Sequence, residues 1–501
     1  MTADNGADTT PLRQSAFVAP ADLEAEATRL FAAGFRLALV AGNDDGKRLR
    51  AVYVFTAGSP DRRVELQVLI DPTRPAVPSL GRLSFPASRF EREMHDLFGI
   101  EPLDHPFLRP LVLHQHWPAG WHPMRHDAGE PPPMRTDAEP FPFVTVEGPG
   151  VYEIPVGPVH AGLIEPGHFR FSVIGETILE MKARLWFVHR GIEKLFEGRE
   201  IVDGVVLAER ISGDTAVGHN LAYCLAVEEA CRIERPEEAG RLRALLLELE
   251  RMYNHVADVG ALCNDVGYGI ANARALTLRE QLLRLNAEVT GHRLLRGAVR
   301  PGVTSLRRLP TEVELHEIAA RFDDLVDLAT ANTVVMDRFK GTAVLAEPDA
   351  TAIGTLGVVA RASGLALDAR DAHPFAALGT ELDVVSEDAG DVMARFSVRA
   401  REVRASLGLV AALAGTARRL EIVAPDTSFR GGSGLGIVEG WRGMIIHRVE
   451  VDSAGRLRRC KVVDPSFLNW PALSVALADT IVPDFPLANK SFNLSYAGND
   501  L

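Results

Sequence analysis

The chain has 501 residues, 47% of them hydrophobic, which is enough for more than one packed core. Its 54 Lys and Arg stand against 67 Asp and Glu, a formal net charge of −13 that argues against nucleic acid as a partner. No apolar run is long enough to span a bilayer and the start lacks a basic-then-apolar signal, so membrane association is expected only through partner subunits.

Residues 1–15 are polar and read as a disordered tail. Residues 16–127 read as a small α+β domain. Within it, Pro20–Ala33 places Leu23, Leu30 and Phe31 at helical spacing behind Asp22, and strands follow at Arg36–Ala41, Arg50–Thr56 and Val64–Ile70. Ser88–Phe98 is a short helix that Ser88 and Glu91 would open as a capping box. Residues 128–142 are a linker, because Pro131-Pro132-Pro133 can continue neither helix nor sheet.

The segment 143–501 starts with strands (Val151–Pro155, His168–Ile174, Ile178–Leu185) and turns helical. Helices are expected at Glu237–Val266, at Arg274–Arg296, from the Thr311/Glu314 box toward Arg338, and from Ser386 to near Leu420. Strands Leu435–Val438, Met444–Val451 and Leu457–Val463 precede a last helix at Trp470–Thr480. The fold class is α+β: a small N-terminal α+β domain linked to a large, mainly helical-bundle domain with small β-sheets at its ends.

Chemistry-bearing residues are densest between Gly157 and Glu228. A hairpin loop carrying His160 and His168 could face the start of a helix that Asp214 opens and that also brings Arg210 and His219. Glu248, Arg251 and His255 share one helix face, as either a solvated ladder or a buried network. Arg430-Gly-Gly-Ser-Gly-Leu-Gly lacks the strand–helix context of a phosphate loop. The cysteines (Cys224, Cys231, Cys263, Cys460) show no Cys-x-x-Cys spacing and read as buried thiols of a reduced protein without disulfides.

Three stretches carry a family resemblance: Gly157-Pro-Val-His-Ala-Gly-Leu-Ile-Glu-Pro-Gly-His-Phe-Arg-Phe171, His189-Arg-Gly-Ile-Glu-Lys194, and Glu209-Arg-Ile-Ser-Gly-Asp-Thr215 running to His219. They resemble the large subunit of membrane-bound nickel–iron hydrogenases of the formate hydrogenlyase type, and equally the homologous 49-kDa-type subunit at the quinone site of respiratory complex I. Phe90–Leu113 is similar to the signature of complex I's 30-kDa-type subunit, so the chain resembles a fusion of the two.

The family's nickel ligands are two Cys-x-x-Cys pairs; their positions here hold Ser212 and Thr215, and Ser495 and Gly498. Nickel–iron chemistry needs soft thiolates, so the expectation is no metal site of the chain's own. By the same resemblance, Glu193 and Arg442 match an acid and an arginine beside the hydrogenase site. With Arg210, Asp214 and His219 they are expected either as an ion-pair network filling the former metal space or as a proton or quinone path. A quinone ligand is implied for His168 or His160, paired with Asp265. The aligned position of complex I's tyrosine donor is Gly213, with Tyr223 and Tyr268 as substitutes. Arg361, Asp368 and Arg370 resemble a segment near an iron–sulfur subunit. The implied partners are a small subunit with a 4Fe-4S cluster and membrane subunits of complex I or antiporter type, on the cytoplasmic side of the membrane. A non-catalytic scaffold subunit and a hydrogenase with unusual ligation are the alternatives.

Overall fold

The computed structural model describes residues 12–501 apart from 163, 380, 381, 427 and 429. Residues 12–15, expected in a disordered tail, belong instead to strand β1 (Leu12–Phe17), while residues 1–11 lie outside the described residues. β1 is mostly exposed and so carries no apolar signal; parallel backbone pairing to β4 (Arg62–Ile70) holds it, with Arg13 reaching Glu65 and Glu229. Helix α1 (Leu23–Ala32) and strands β2 (Arg36–Asp44) and β3 (Leu49–Ala57) fall where their apolar patterns place them. The sheet order is β1-β4-β3-β2. Helix α2 (Phe85–Phe98) starts a turn earlier than expected. Ser84, not Ser88, accepts the Ala87 amide as its cap, and Pro86 is tolerated in the first turn. Glu91 instead serves Ser79 and the Leu80 amide.

Beyond the linker, β5 (Val151–Val156), β6 (His168–Ile174) and β7 (Thr177–Arg184) form an antiparallel sheet that buries Phe169, Phe171 and Val173 on one face. Short helices α3 (Ile192–Phe196) and α4 (Ile201–Ala208) lead to α5 (Ala216–Cys231), then α6 (Glu237–Asp265) and α7 (Gly269–Thr290). α7 begins and ends about a turn and a half earlier than expected, closed by Gly291 at φ +95°. The Thr311/Glu314 capping box is present and opens α8 (Glu312–Thr330), but Asn332 caps a second helix where one continuous helix was expected. α9 (Val392–Thr416) opens at Asp391 rather than Ser386.

A second antiparallel sheet, β8 (Gly432–Gly440), β9 (Gly443–Val451) and β10 (Leu457–Val463), stands between two cores. Val438, Ile445 and Val449 face the helical core, whereas Leu435, Ile437 and Ile446 join a cluster with β2, β3, α2 and the β5–β7 sheet. The linker therefore divides the chain but not its packing. Buried ion pairs bind the two halves: Arg448 to Glu65 at 2.9 Å, Arg50 to Glu450 at 2.9 Å, and Lys461 to Glu93 at 2.6 Å.

The glycine run explains how α5 seats on this wall. A Cβ on Gly432, Gly434 or Gly436 would lie 2.3, 1.9 and 1.9 Å from the carbonyl oxygens of Ala230, Ala226 and Ala222. Two residues of strand advance about 6.6 Å and four of helix about 6 Å, so a glycine at every second strand position meets an alanine at every fourth helix position. The chain ends in α10 (Pro465–Ala476), α11 (Phe485–Phe492) and α12 (Tyr496–Asp500); Asp464 caps α10, which starts five residues before the expected Trp470. Among the described residues no helix is long and apolar enough to cross a membrane.

Candidate functional site: a polar hub at the former ligand positions

Ser212, Thr215, Ser495 and Gly498 come from the loop before α5 and from the start of α12, and the fold brings them to one place. The Gly498 amide donates to Ser495 Oγ (2.9 Å), Ser495 Oγ pairs with Ser212 Oγ (2.8 Å), and Ser212 Oγ donates to Asp214 Oδ1 (2.9 Å). Since Ser212 has one proton and gives it to Asp214, Ser495 is the donor to Ser212, and the chain of bonds runs one way toward the carboxylate. Thr215 Oγ1 donates to the same oxygen at 3.0 Å.

Arg442, at the tip of the β8–β9 hairpin, clamps Asp214 with two bonds of 2.7 Å and gives Nε to the Asn493 carbonyl at 2.6 Å. Its guanidinium stacks 3.8 Å from the Trp441 ring, whose Nε1 donates to Thr215 Oγ1. Burial alone would push the Asp214 carboxyl up, but Arg442 and the two hydroxyls hold it at about 2. Asp214 is thus not the helix cap that its position suggests. The α5 amides of Val217 and Gly218 donate instead to Glu250, at 2.7 and 2.9 Å. Burial pushes Glu250 up to about 8 in spite of these two bonds.

Behind the hydroxyls, Asp464 Oδ2 lies 3.0 Å from His219 Nε2, and His219 Nδ1 lies 3.1 Å from His447 Nε2. All three side chains are buried. Burial and the neighbouring His219 hold His447 well below the usual imidazole value. A Cβ on Gly498 would meet Asp464 Oδ2 at 2.5 Å, so the carboxylate fills the space that a larger residue there would need. Asp464, His447, Ser466 and Trp441 were not picked out from the sequence as site residues. The legible trace was Asp464-Pro465, an N-cap followed by proline at the first helical position.

Not every expected member joins this hub. Glu193 sits in a separate buried cluster, bonded to Arg459 (2.7 Å), Lys461 (3.1 Å) and the Val462 amide (2.9 Å). Burial opposes its charge, but Arg459 and Lys461 bring it down to about 2. Arg210, just past the end of α4, is exposed and donates to the Val206 carbonyl of that helix, so it lies outside the network. Tyr223 is buried with its hydroxyl on the Ile201 carbonyl.

The loop histidines are placed differently. His168 Nδ1 pairs with the Gly157 carbonyl at 3.2 Å, its ring is 5.6 Å from Phe143, and its Nε2 has no hydrogen-bond partner among the described residues. His160 Nε2 is 2.7 Å from the Gly167 carbonyl. Asp265 ends α6 and is exposed, with Lys490 as the cation in its field; neither histidine is hydrogen-bonded to it among the described residues. Glu248, Arg251 and His255 are a buried network, joined through Glu402 to Arg361, Asp368, Arg370 and Glu439. Arg361 and Arg370 are thereby buried inside the chain, not offered at its surface.

Three family descriptions match in succession: the 30-kDa subunit of respiratory-chain NADH dehydrogenase over residues 16–133, nickel-dependent hydrogenase over 190–262, and the 49-kDa subunit of the NADH dehydrogenase over 265–425. Formate hydrogenlyase subunit 5 of Escherichia coli (strain K12) is 31% identical over 480 residues, 93% of this chain and 84% of that protein. The chain belongs to the complex I-related hydrogenase large-subunit family. Hydrogenase-4 component G of the same organism, another relative, is 32% identical over 421 residues, 82% of this chain and 73% of its own length. A subunit in the structure of the membrane-bound sulfane sulfur reductase, an archaeal respiratory membrane complex, shares the fold at a TM-score of 0.65 and 24% identity, over 70% of this chain and 99% of that one.

Against this family background, the donor set does not fit a nickel–iron centre. Two serines, a threonine and a glycine stand where the sequence resemblance puts the thiolates, and the hydroxyls are committed to Asp214 and Arg442. Among the described residues no group of three or more His, Cys, Asp or Glu side chains is arranged to hold a metal ion. All four cysteines are buried and free; Cys460 lies 3.9 Å from His447 and the other three are in the helical core.

Proposed function

We propose that this large-subunit homologue is the peripheral component of a membrane-bound redox complex and contributes no metal chemistry of its own. In this reading it packs against a small subunit carrying a 4Fe-4S cluster, on the cytoplasmic side, beside membrane subunits of complex I or antiporter type. Electrons leave the cluster for a quinone-type acceptor held at the loop of His160 and His168, and the hub keeps the α5 loop, the β8–β9 hairpin and α12 in register. The observation that carries the reading is the hub itself: four former ligand positions converge, and their polar groups are satisfied by one another.

His168 supports the acceptor site because its Nδ1–H is spent on the Gly157 carbonyl and its Nε2 is uncommitted: Nε2 accepts from the hydroxyl of a reduced acceptor, and only in the imidazolium form does it donate to a carbonyl oxygen that is being reduced. Asp265, not bonded to it here, would have to act through a rearranged loop or through water. That separation favours a second reading, in which the chain is a scaffold without chemistry.

The purified complex separates the two. With a short-chain ubiquinone as acceptor, His168→Ala and Asp265→Ala are expected to lower turnover at least tenfold, whereas Asp214→Asn lowers thermal stability and leaves turnover per intact complex unchanged. Wild-type turnover in both loop variants would leave the scaffold reading. Stoichiometric nickel in the chain would sink both.

A further inference from the structure

A cavity of about 390 Å³ opens between α2, the linker and the β5–β7 sheet, and shares no lining residue with the hub. Four arginines edge it: Arg89, Arg92, Arg109 and Arg184. Aromatic rings supply its walls, among them Phe85, Phe107, Phe141, Trp186 and Trp470, and Glu180 is the one acidic residue of the lining. None of the four guanidinium groups has a carboxylate within ion-pair distance among the described residues. Most buried arginines elsewhere do pair with an acid, among them Arg243, Arg251, Arg361, Arg370, Arg448 and Arg459; Arg395 does not, but its three nitrogens end on Ser491 and two carbonyls.

Arg89 is the extreme case. It is 8% exposed, makes no hydrogen bond to any described residue, and its Nε and one Nη are buried without a partner. Its guanidinium lies over the rings of Phe467 (4.8 Å) and Trp186 (5.7 Å), which offsets part of the cost but satisfies no N–H. Burial and the adjacent Arg92 push it down to about 9. Arg184 gives two nitrogens to the Leu111 and Leu113 carbonyls and keeps Nε unpartnered. Lys182 does not belong to this set, because Glu153 and Ser172 already hold it at 2.7 and 2.9 Å.

We propose that this cavity binds a small amphipathic oxyanion, its phosphate or carboxylate head on Arg89, Arg92 and Arg184 and its apolar body along the aromatic wall. The volume falls in the range of small-molecule sites, roughly 300–1,000 Å³. Planar guanidinium forks suit either head group, and the rings shield the pair from water. A neutral amphiphile lacks the head, and a bare inorganic anion leaves the aromatic wall uncovered.

Calorimetric titration of the full chain with dodecyl phosphate, dodecanoate, inorganic phosphate and dodecyl maltoside, each below its micellar concentration, tests the site. One equivalent of dodecyl phosphate or dodecanoate is expected to bind about 10- to 100-fold more tightly than inorganic phosphate, with no binding of the maltoside; the tighter of the two identifies the head. Arg89→Met is expected to lower that affinity about 10- to 100-fold while raising the melting temperature of the ligand-free chain. A lower melting temperature with unchanged affinity would make Arg89 a structural residue stacked on its rings and overturn the proposal. So would equal binding of all four probes, or a site open in the isolated chain but closed in the assembled complex, where a partner's carboxylate would be the occupant.

Discussion

The hub at Asp214 and the cavity at Arg89 use the same kinds of side chain to opposite ends. In the hub each donor ends on an acceptor: hydroxyls on a carboxylate, a guanidinium on two carboxylate oxygens and a carbonyl. In the cavity Arg89 and Arg184 are stacked on rings and short of acceptors. A closed set of partners marks a part of the framework, and an open set marks a place where something else completes the bonding.

The largest way to break this contrast is to open the hub. Arg442→Met leaves Asp214 with hydroxyls alone; removing one partner of a buried pair costs roughly 3–5 kcal/mol. The Asp214 side chain is 37% exposed, so solvent screening brings the cost below that range, and urea unfolding should show a loss of about 2–3 kcal/mol. An unchanged midpoint would mean that the pair is not part of the framework. Next comes crowding: Gly498→Cys places a Cβ against Asp464 and should cost about 2 kcal/mol, in the range of overpacked cores. Adding Asp464→Ala should recover part of that loss, and strict additivity of the two changes would contradict the shared space.

A third test uses pH. The folded-state value of Glu250, about 8, lies above its unfolded value near 4.5, so the folded chain holds a proton that the unfolded chain has released. Stability contributed by this group is therefore full at low pH and falls as pH rises from about 4.5 to 8, by roughly 1.4 kcal/mol per pH unit at most. Melting curves between pH 5 and 8 should show this slope, and Glu250→Gln should flatten it. The smallest effect is expected in the cavity, where Arg89→Met without ligand should stabilise the chain by about 1 kcal/mol or less, because an apolar side chain replaces an unpaired buried cation.

Much of this architecture was legible in the chain. Thr311 and Glu314 announced their helix, and alternating Phe169, Phe171 and Val173 their strand. What stayed hidden depends on long-range contacts. Asp214 has the residue type and position of a helix cap, but Arg442, 228 residues away, claims it. Arg210 and Glu193 share a stretch of motif with the hub, yet one faces solvent and the other the β10 strand. Arg89 reads as one more charge on a helix face until Trp186 and Phe467 close over it. A single sequence gives the spacing of charges along an element, not the partner that each will meet.

The glycine-to-carbonyl seating of α5 on β8 has a mechanical consequence. With no side chains between them to act as a cushion, helix and strand are seated main chain on main chain as one closely packed body. That body reaches from the Thr215 end of α5, through the hairpin tip at Arg442, to Arg448 and Glu450, which grip the N-terminal sheet. The loop before α5 and the N-terminal sheet are therefore joined through main-chain contact and buried ion pairs rather than through a compressible layer of side chains.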